Sequence, residues 1–506
     1  MSLISKLLSP GAAIRQRFFP VKPGSTPNPD REIAKLFRKF GAYIRSEEVR
    51  ALCRRKPSDF TRICMFPWFD VLLYVIFRCK ECAKTELTHY YACIGHSERC
   101  VSRQAAFKAL KKLNPRVFDH LIHKFAELFY KSPLVKTFRG YLLLAVDGTT
   151  LNLPAGSLSL QRFGFIRNEH VRTDADAKKA TSRSSAVYDV TNGIILDFVM
   201  RRYKDSEIPI AVEQLGRIAR HVRGRAAIFL ADRNYDSVEV FSILEGYGMK
   251  YCIRGKANFF KHYVEKMKSN DEWISVYIDK AWQRRLKYGQ PRERFEKDPW
   301  IRIRVVKYRY TYFTKKGMPV AADLIYFTNL SEDEFPSSDI VSLYGKRWQI
   351  EVSYKTLKTD YEWERFFSRD CDTEICAIYG KVIFHNLCGV VRKQLDQMLE
   401  EDLAIPENAC SNKHAFRVNV KQLSNQIRDE GLCRALRSQN TEKMENIFIL
   451  AVLMIHKIKV PVRPDRHEKR WGRVVSSGHP TRFRLDGRNW PNTIRTKGRL
   501  QTVRPY

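Results

Sequence analysis

An α/β fold is predicted for this chain of 506 residues, and three features of the sequence predict it. The first is YLLLAVDGTTLNL from Tyr141, whose unbroken apolar start suits a strand covered on both faces. The second is SSAVYDVTNGIILDFVM (184–200), two strand-like runs about Asn192-Gly193, a strong hairpin signal. The third is alternation: a helical stretch at 206–222, the apolar strand AAIFLAD (226–232), a helix from Ser237 to Tyr247, and the strand MKYCIR. Three hairpin-linked strands followed by strand–helix alternation is the topology of an RNase H-like α/β core, whose first part spans 136–253.

The other elements are placed around that core. Residues 1–30, rich in Pro and Gly and carrying Arg15, Arg17 and Lys22, read as a flexible basic arm. Residues 31–135 are helical in pattern, with Ser58 or Asp59 a candidate N-cap before the apolar run Met65–Phe77. Residues 85–113 suggest a helix, a turn near Gly95 and a second helix capped by Ser102. That second helix presents Arg103, Gln104 and Lys108 beside apolar Ala106, Phe107 and Leu110, which suits a helix-turn-helix DNA reader or an ordinary amphipathic helix with a wet basic face. Short strand-like runs between 254 and 335 (WISVYI, IRIRVV, YRYTYF, DLIYFT) read as an inserted β-rich subdomain. Helical character returns for 336–400, the second part of the core, and continues into a helical and basic region at 401–506. Its last fifty residues carry 14 Lys and Arg against 3 acidic residues, so they read as peripheral.

Charge narrows the function. Ninety Lys and Arg against 55 Asp and Glu leave a formal charge of +35, an excess expected of a protein with a polyanionic partner such as nucleic acid. Hydrophobic residues make up 44%, enough for a sizeable core, which excludes an intrinsically disordered chain. Twelve scattered cysteines show no secreted disulfide framework, the N-terminus lacks a signal-peptide apolar region, and no 18-residue apolar run occurs. A cytoplasmic protein is expected. Cys79, Cys82, Cys93, His96 and Cys100 could outline a zinc site, but ordinary buried thiols are the better expectation.

Two carboxylates stand where chemistry needs them. Asp147 ends the first buried strand and Asp232 ends the fourth, so both are expected to project into one crevice. Hard divalent cations favour such oxygen donors, and paired metal ions suit displacement at a phosphodiester. A third element strengthens the case: in VSLYGKRWQIEVSYKTLK, Tyr344, Arg347, Glu351 and Lys358 fall within roughly 60° of one another on a helix at 100° per residue. That face offers a carboxylate to a metal and Arg, Tyr and Lys to phosphates, although an i, i+4 Arg347–Glu351 surface pair is the plainer alternative.

The spacing Tyr344, Arg347, Glu351, Lys358 resembles the YREK signature of the IS-four family of bacterial insertion-sequence transposases. PSDFTR (57–62), LAVDGTTLNLP, YDVTNGIILD and IFLADRNYDS add to a resemblance that covers roughly residues 40 to 400. It implies that Asp147, Asp232 and Glu351 are a DDE triad holding two Mg²⁺ ions, with Mn²⁺ able to substitute. It also implies that Tyr344, Arg347 and Lys358 grip DNA near the element's end, and that 254–335 is the family's β-insertion. The partners implied are the terminal inverted repeats, target DNA and a second copy of the chain in a homodimer. The reaction implied is 3′-strand hydrolysis, a hairpin intermediate and strand transfer. An RNase H-like nuclease without strand transfer and a catalytically idle DNA-binding regulator remain alternatives. By analogy with relatives, Trp273, Trp282 or Trp300 could stack on a flipped base. One departure is Asn234, where the family has Gly; Asn tolerates left-handed geometry better than most residues, so the turn is expected to survive.

Overall fold

The computed structural model describes residues 29–62, 64–78, 82–167, 171–313, 318–366, 368–403, 415–462, 493–496 and 499–502. The expected basic arm lies almost wholly outside the described residues, as do Cys79 and most of the basic stretch after 462.

The first six helices are α1 (Pro29–Ile44), α2 (Glu47–Cys53), α3 (Trp68–Phe77), α4 (Ala83–Ile94), α5 (Arg103–Leu110) and α6 (Arg116–Tyr130). In α1 the apolar residues Ile33, Phe37, Phe40 and Ile44 recur at helical spacing and are all buried, with Phe40 meeting Phe125 of α6 edge to face. Helix α4 ends at Gly95, whose φ of 79° closes the turn that a side chain would strain. Ser102 caps α5 by accepting from the Ala105 N–H (3.2 Å). The expected helix start at Ser58 or Asp59 is instead a turn. The Asp59 carboxylate accepts from the Lys56 N–H (2.9 Å), and the helix begins only beyond Pro67.

The sheet follows: β1 (Leu142–Pro154), α7 (Ser157–Phe163), β2 (Lys179–Asp189), β3 (Ile194–Arg202), α8 (Glu207–Val222), β4 (Ala227–Ala231), α9 (Val238–Gly246) and β5 (Lys250–Arg254). Then come α10 (Lys261–Glu265), β6 (Asp271–Tyr277), α11 (Lys280–Arg285), α12 (Gly289–Lys297), β7 (Trp300–Phe313) and β8 (Pro319–Thr328). All eight strands form one mixed sheet in the order β3-β2-β1-β4-β5-β8-β7-β6. Strands β1, β2 and β3 are antiparallel neighbours, whereas β1, β4 and β5 run parallel. The strands of 254–335 extend this sheet outward, joined through a three-residue antiparallel overlap of β5 with β8.

The remaining elements are α13 (Ser337–Gly345), α14 (Trp348–Lys355), a π-turn at Thr356–Asp360, and the 33-residue α15 (Cys371–Leu403). After them come β9 (Phe416–Val418), α16 (Val420–Asp429), α17 (Leu432–Ser438), α18 (Thr441–Leu453), α19 (Ile455–Ile458) and β10 (Lys459–Pro461), with a small hairpin β11 (Thr493–Thr496) and β12 (Arg499–Thr502). Helix α15 is the spine. By length and composition it could cross a membrane, yet 94% of its most apolar window is buried within the protein. Its Asn386 amide bonds both backbone groups of Ile195 (2.7 Å each), satisfying the edge strand β3. The C-terminal helices return to the N-terminal ones: Arg437 of α17 pairs with buried Asp70 of α3 (2.7 Å), and Gly41 of α1 lies so close to the Leu436 carbonyl that a Cβ would stand 2.8 Å from it. The helices of 29–130 and those of 420–458, assigned from sequence to separate regions, build one helical body.

Candidate active site

Register explains how the first two carboxylates meet. Parallel β1 and β4 pair Leu144 with Phe229 and Ala145 with Leu230, so two residues on Asp147 comes level with Asp232. Adjacent strands stand about 4.8 Å apart, which brings these side chains to one edge of the sheet. Local bonds orient both. Asp147 Oδ1 accepts from the Gly148 N–H (2.9 Å), and Asp232 Oδ1 accepts from the Asn234 N–H (2.8 Å). The turn at Asn234 is kept, without a positive φ, and the Asp232 carboxylate closes it.

Glu351 arrives on α14. The expected single helix through Tyr344, Arg347, Glu351 and Lys358 is interrupted: Tyr344 lies in α13, Arg347 caps α14, and Lys358 sits in the π-turn. A tight turn, with the Arg347 N–H bonded to the Tyr344 carbonyl (2.9 Å), precedes the wide π-turn, so the spacing departs from ideal phase in both directions. The residues nonetheless converge on β1. Arg347 Nη2 donates to Glu351 Oε1 (2.6 Å), and its Nη1 lies 3.8 Å from Asp147 Oδ2. The Arg347 guanidinium also stands 5.6 Å from the Tyr344 ring centroid. Lys358 Nζ donates to Thr149 Oγ1 and to the Thr150 carbonyl (2.8 Å each). The plain surface-pair alternative does not describe Arg347, which is only 8% exposed.

The electrostatics follow from this crowding. Burial pushes the Asp147 carboxyl up to about 7; anionic Asp232 and Glu351 add to the rise, and Arg347 opposes it. Burial also lowers the Lys358 ammonium. Gly148 of the DGTT segment has a steric reason: a Cβ there would stand 2.8 Å from Glu207 Oε1, which pairs with Arg183 (2.6 Å).

The chemistry of the donor set fits hard divalent cations. Glu351 and Asp147 share one guanidinium, and Asp232 stands level with Asp147 on the next strand, which leaves net negative charge beside a strand edge. Among the described residues, the group with ligand atoms within 4.8 Å of one another is a different one, Asp119, His123 and Asp197. Arg217 already occupies that position, pairing with Asp197 and with Asp119 (3.4 Å). No such grouping forms around the described zinc candidates; Cys82 and Cys100 are exposed, and Cys93 faces His89 (3.5 Å).

Arg103, Gln104 and Lys108 lie on the exposed face of α5, with Ala106 and Leu110 buried beneath them. Of the tryptophans named from sequence, Trp273 lies under the Arg302 guanidinium (5.1 Å), Trp282 packs against Phe260, and Trp300, 49% exposed, stands beside Tyr277. Sequence reasoning passed over Trp348, which is 59% exposed three residues before Glu351. It also passed over Tyr354, which stands between Ser353 and Lys355 with no motif to mark it.

Asp147 and Asp232 thus stand level at one sheet edge, and Arg347 links Asp147 to Glu351 on the neighbouring helix. Residues 138–387 match the family model of the transposase DDE domain, a span that holds all three carboxylates. The chain carries a transposase DDE domain and is similar to transposases of bacterial insertion sequences. It is 24% identical over 269 residues to the transposase for insertion sequence element IS231E of Bacillus thuringiensis subsp. finitimus, covering 46% of this chain and 55% of that protein. It is 23% identical over 329 residues to the transposase for insertion sequence element IS231B of Bacillus thuringiensis subsp. berliner, covering 57% and 66%. The chain thus spans about half to two thirds of the length of these curated relatives. Among solved structures, it is similar to a piggyBac transposase synaptic complex with hairpin DNA, at 12% identity and a TM-score of 0.37, covering 90% of this chain and 87% of that one.

Proposed function

We propose that this chain is a cut-and-paste transposase that excises and inserts a bacterial insertion sequence from an RNase H-like core. The observation that carries the proposal is the convergence of Asp147, Asp232 and Glu351 at one strand edge inside the matched domain. Mg²⁺ or Mn²⁺ held by these carboxylates would supply an activated oxygen nucleophile and a stabilised leaving oxygen at a phosphodiester. Hydrolysis of the 3′ strand and later attack by the freed 3′-OH, on the opposite strand to form a hairpin and then on target DNA, are displacements of one kind, so one site serves all of them.

The chain's own residues position the DNA. Arg347 trades its carboxylates for backbone phosphates, with Tyr344 alongside and Lys358 held at the end of β1 by Thr149 and Thr150. The exposed indole of Trp348 offers a stacking surface to an unpaired base. Arg103, Gln104 and Lys108 reach toward the terminal inverted repeats, and two copies of the chain pair two ends as a homodimer in the cytoplasm, at the nucleoid.

The test is a cleavage and strand-transfer assay on DNA carrying the element's terminal repeats, with Mg²⁺ or Mn²⁺, comparing wild type with Glu351→Gln. Metal-dependent cleavage and joining, both lost in the variant while DNA binding persists, is the expected result. Cleavage without joining would identify a nuclease, DNA binding without either reaction a regulator, and activity surviving in Glu351→Gln would remove that residue from the site.

A further inference from the structure

One phenol of helix α14 is bonded to the β1 backbone at Asp147. Tyr354 follows Glu351 by three residues, one turn along the same helix. Its hydroxyl donates to the Asp147 main-chain carbonyl (2.7 Å) and accepts from the Ala186 N–H (3.0 Å). Asp147 and Ala186 are register partners in the antiparallel β1–β2 ladder, so the phenol joins that ladder at the residue that bears the first carboxylate. Both roles of the hydroxyl are thereby assigned: the amide can only donate to it, so its own proton is directed at the Asp147 carbonyl. The ring cannot wander. It is 6% exposed and stacked on Trp363, with centroids 6.2 Å apart.

We infer that Tyr354 is a positioning residue that sets the spacing between Asp147 and Glu351, so that the two carboxylates meet a divalent cation together. The inference rests on the proposal that these carboxylates share a metal site. Asp147 lies on a strand and Glu351 on a helix 204 positions later; Arg347, Tyr354 and Lys358 carry bonds from that segment to β1, and of these Tyr354 is the one bonded to the main chain of Asp147 itself. Arg347 joins the two carboxylates by charge and must yield to a cation. Tyr354 bonds the backbone and need not move, so it preserves the spacing when the guanidinium leaves. A tyrosine that merely filled the core would lose packing stability when altered but would leave cation affinity unchanged.

The experiment is titration of the full chain with Mn²⁺, following free Mn²⁺ by electron paramagnetic resonance, with no DNA present. Wild type, Tyr354→Phe, Asp147→Asn and Ser353→Ala are compared. Ser353 is buried next to Tyr354 but bonds His385 (3.0 Å), so its variant controls for loss of a buried hydroxyl on the same helix. Tyr354→Phe is expected to weaken Mn²⁺ binding by about tenfold or more, the scale seen when groups that orient metal ligands are removed, with Ser353→Ala unchanged. Replacing Tyr354 with 4-aminophenylalanine, which still donates to the carbonyl, is expected to restore affinity; this comparison decides the matter if the Phe variant folds poorly. A folded Tyr354→Phe protein that binds Mn²⁺ within twofold of wild type would overturn the inference. Wild type and Asp147→Asn binding Mn²⁺ equally, or not at all, would overturn the metal-site proposal itself and the inference with it.

Discussion

Arg347 shows how a single residue can hold a charged site together. Its guanidinium is buried against Tyr344, bonded to Glu351 and 3.8 Å from Asp147, so it supplies the positive charge that those carboxylates require. Arg347→Ala removes that charge from a partly buried acidic group. The variant is expected to melt several degrees below wild type without divalent cations, and Mn²⁺ is expected to raise its melting temperature more than that of wild type. Thermal melts with and without Mn²⁺ measure this directly; equal Mn²⁺ shifts for both proteins would show that Arg347 does not stand in for the cation. That Asp147, Asp232, Arg347, Glu351 and Lys358 would lie near one another was legible from the strand ends, the helical spacing and the family resemblance. Tyr354 and Glu207 were not, since each acts through a contact with a strand far away in the chain.

At the scale of an element, α15 carries both support and an unusual acid. Glu374 near its start is 1% exposed, accepts from Ser159 Oγ (3.4 Å) and leaves its Oε1 without a hydrogen bond. Burial pushes its carboxyl from the ordinary 4.5 up to about 9. Between these values the folded chain keeps a proton that the unfolded chain has released, so stability falls as pH rises through that window. Glu374→Gln, neutral at every pH, is therefore expected to gain about 2–6 °C in melting temperature over wild type at pH 8, with the gap closing toward pH 5. A gap that stays constant from pH 5 to 8 would mean that Glu374 titrates normally. Elements also mark where sequence periodicity stops being informative. The strands of the core were legible from apolar runs and the Asn192-Gly193 turn. The break at Lys346–Arg347 and the π-turn at 356–360 carry no Pro or Gly punctuation of their own beyond Gly345, and an ideal helix was the natural expectation.

For the whole molecule, the decisive feature is the helical body made from helices of 29–130 and 420–458. Composition could not reveal it, because nothing in residues 29–130 or 416–458 specifies a partner some 370 positions away. The Asp70–Arg437 pair is one tie: Asp70 is 1% exposed and also accepts from the Tyr90 hydroxyl (3.0 Å). Arg437→Met strands a buried carboxylate, and a loss of roughly 3–5 kcal/mol is expected by chemical denaturation, partly recovered when Asp70→Asn is added. Hydrogen exchange should quicken in α1 and α18 together, since they share this body; quickening in α17 alone would show that the two sets of helices fold independently.

The distance along the chain between the second and third carboxylates carries a consequence for how the protein is made. Residues 233–350, 118 in all, separate Asp232 from Glu351. At a translation rate of about 5–20 residues per second, a ribosome needs roughly 6–24 s to cross that interval. Throughout it, the nascent chain holds two carboxylates without the completed segment that supplies Arg347, Glu351, Tyr354 and Lys358. Any product of premature termination before Glu351 is left with the same deficit. The proposed chemistry therefore has a built-in delay: a half-made chain lacks the means to cut the gene that encodes it.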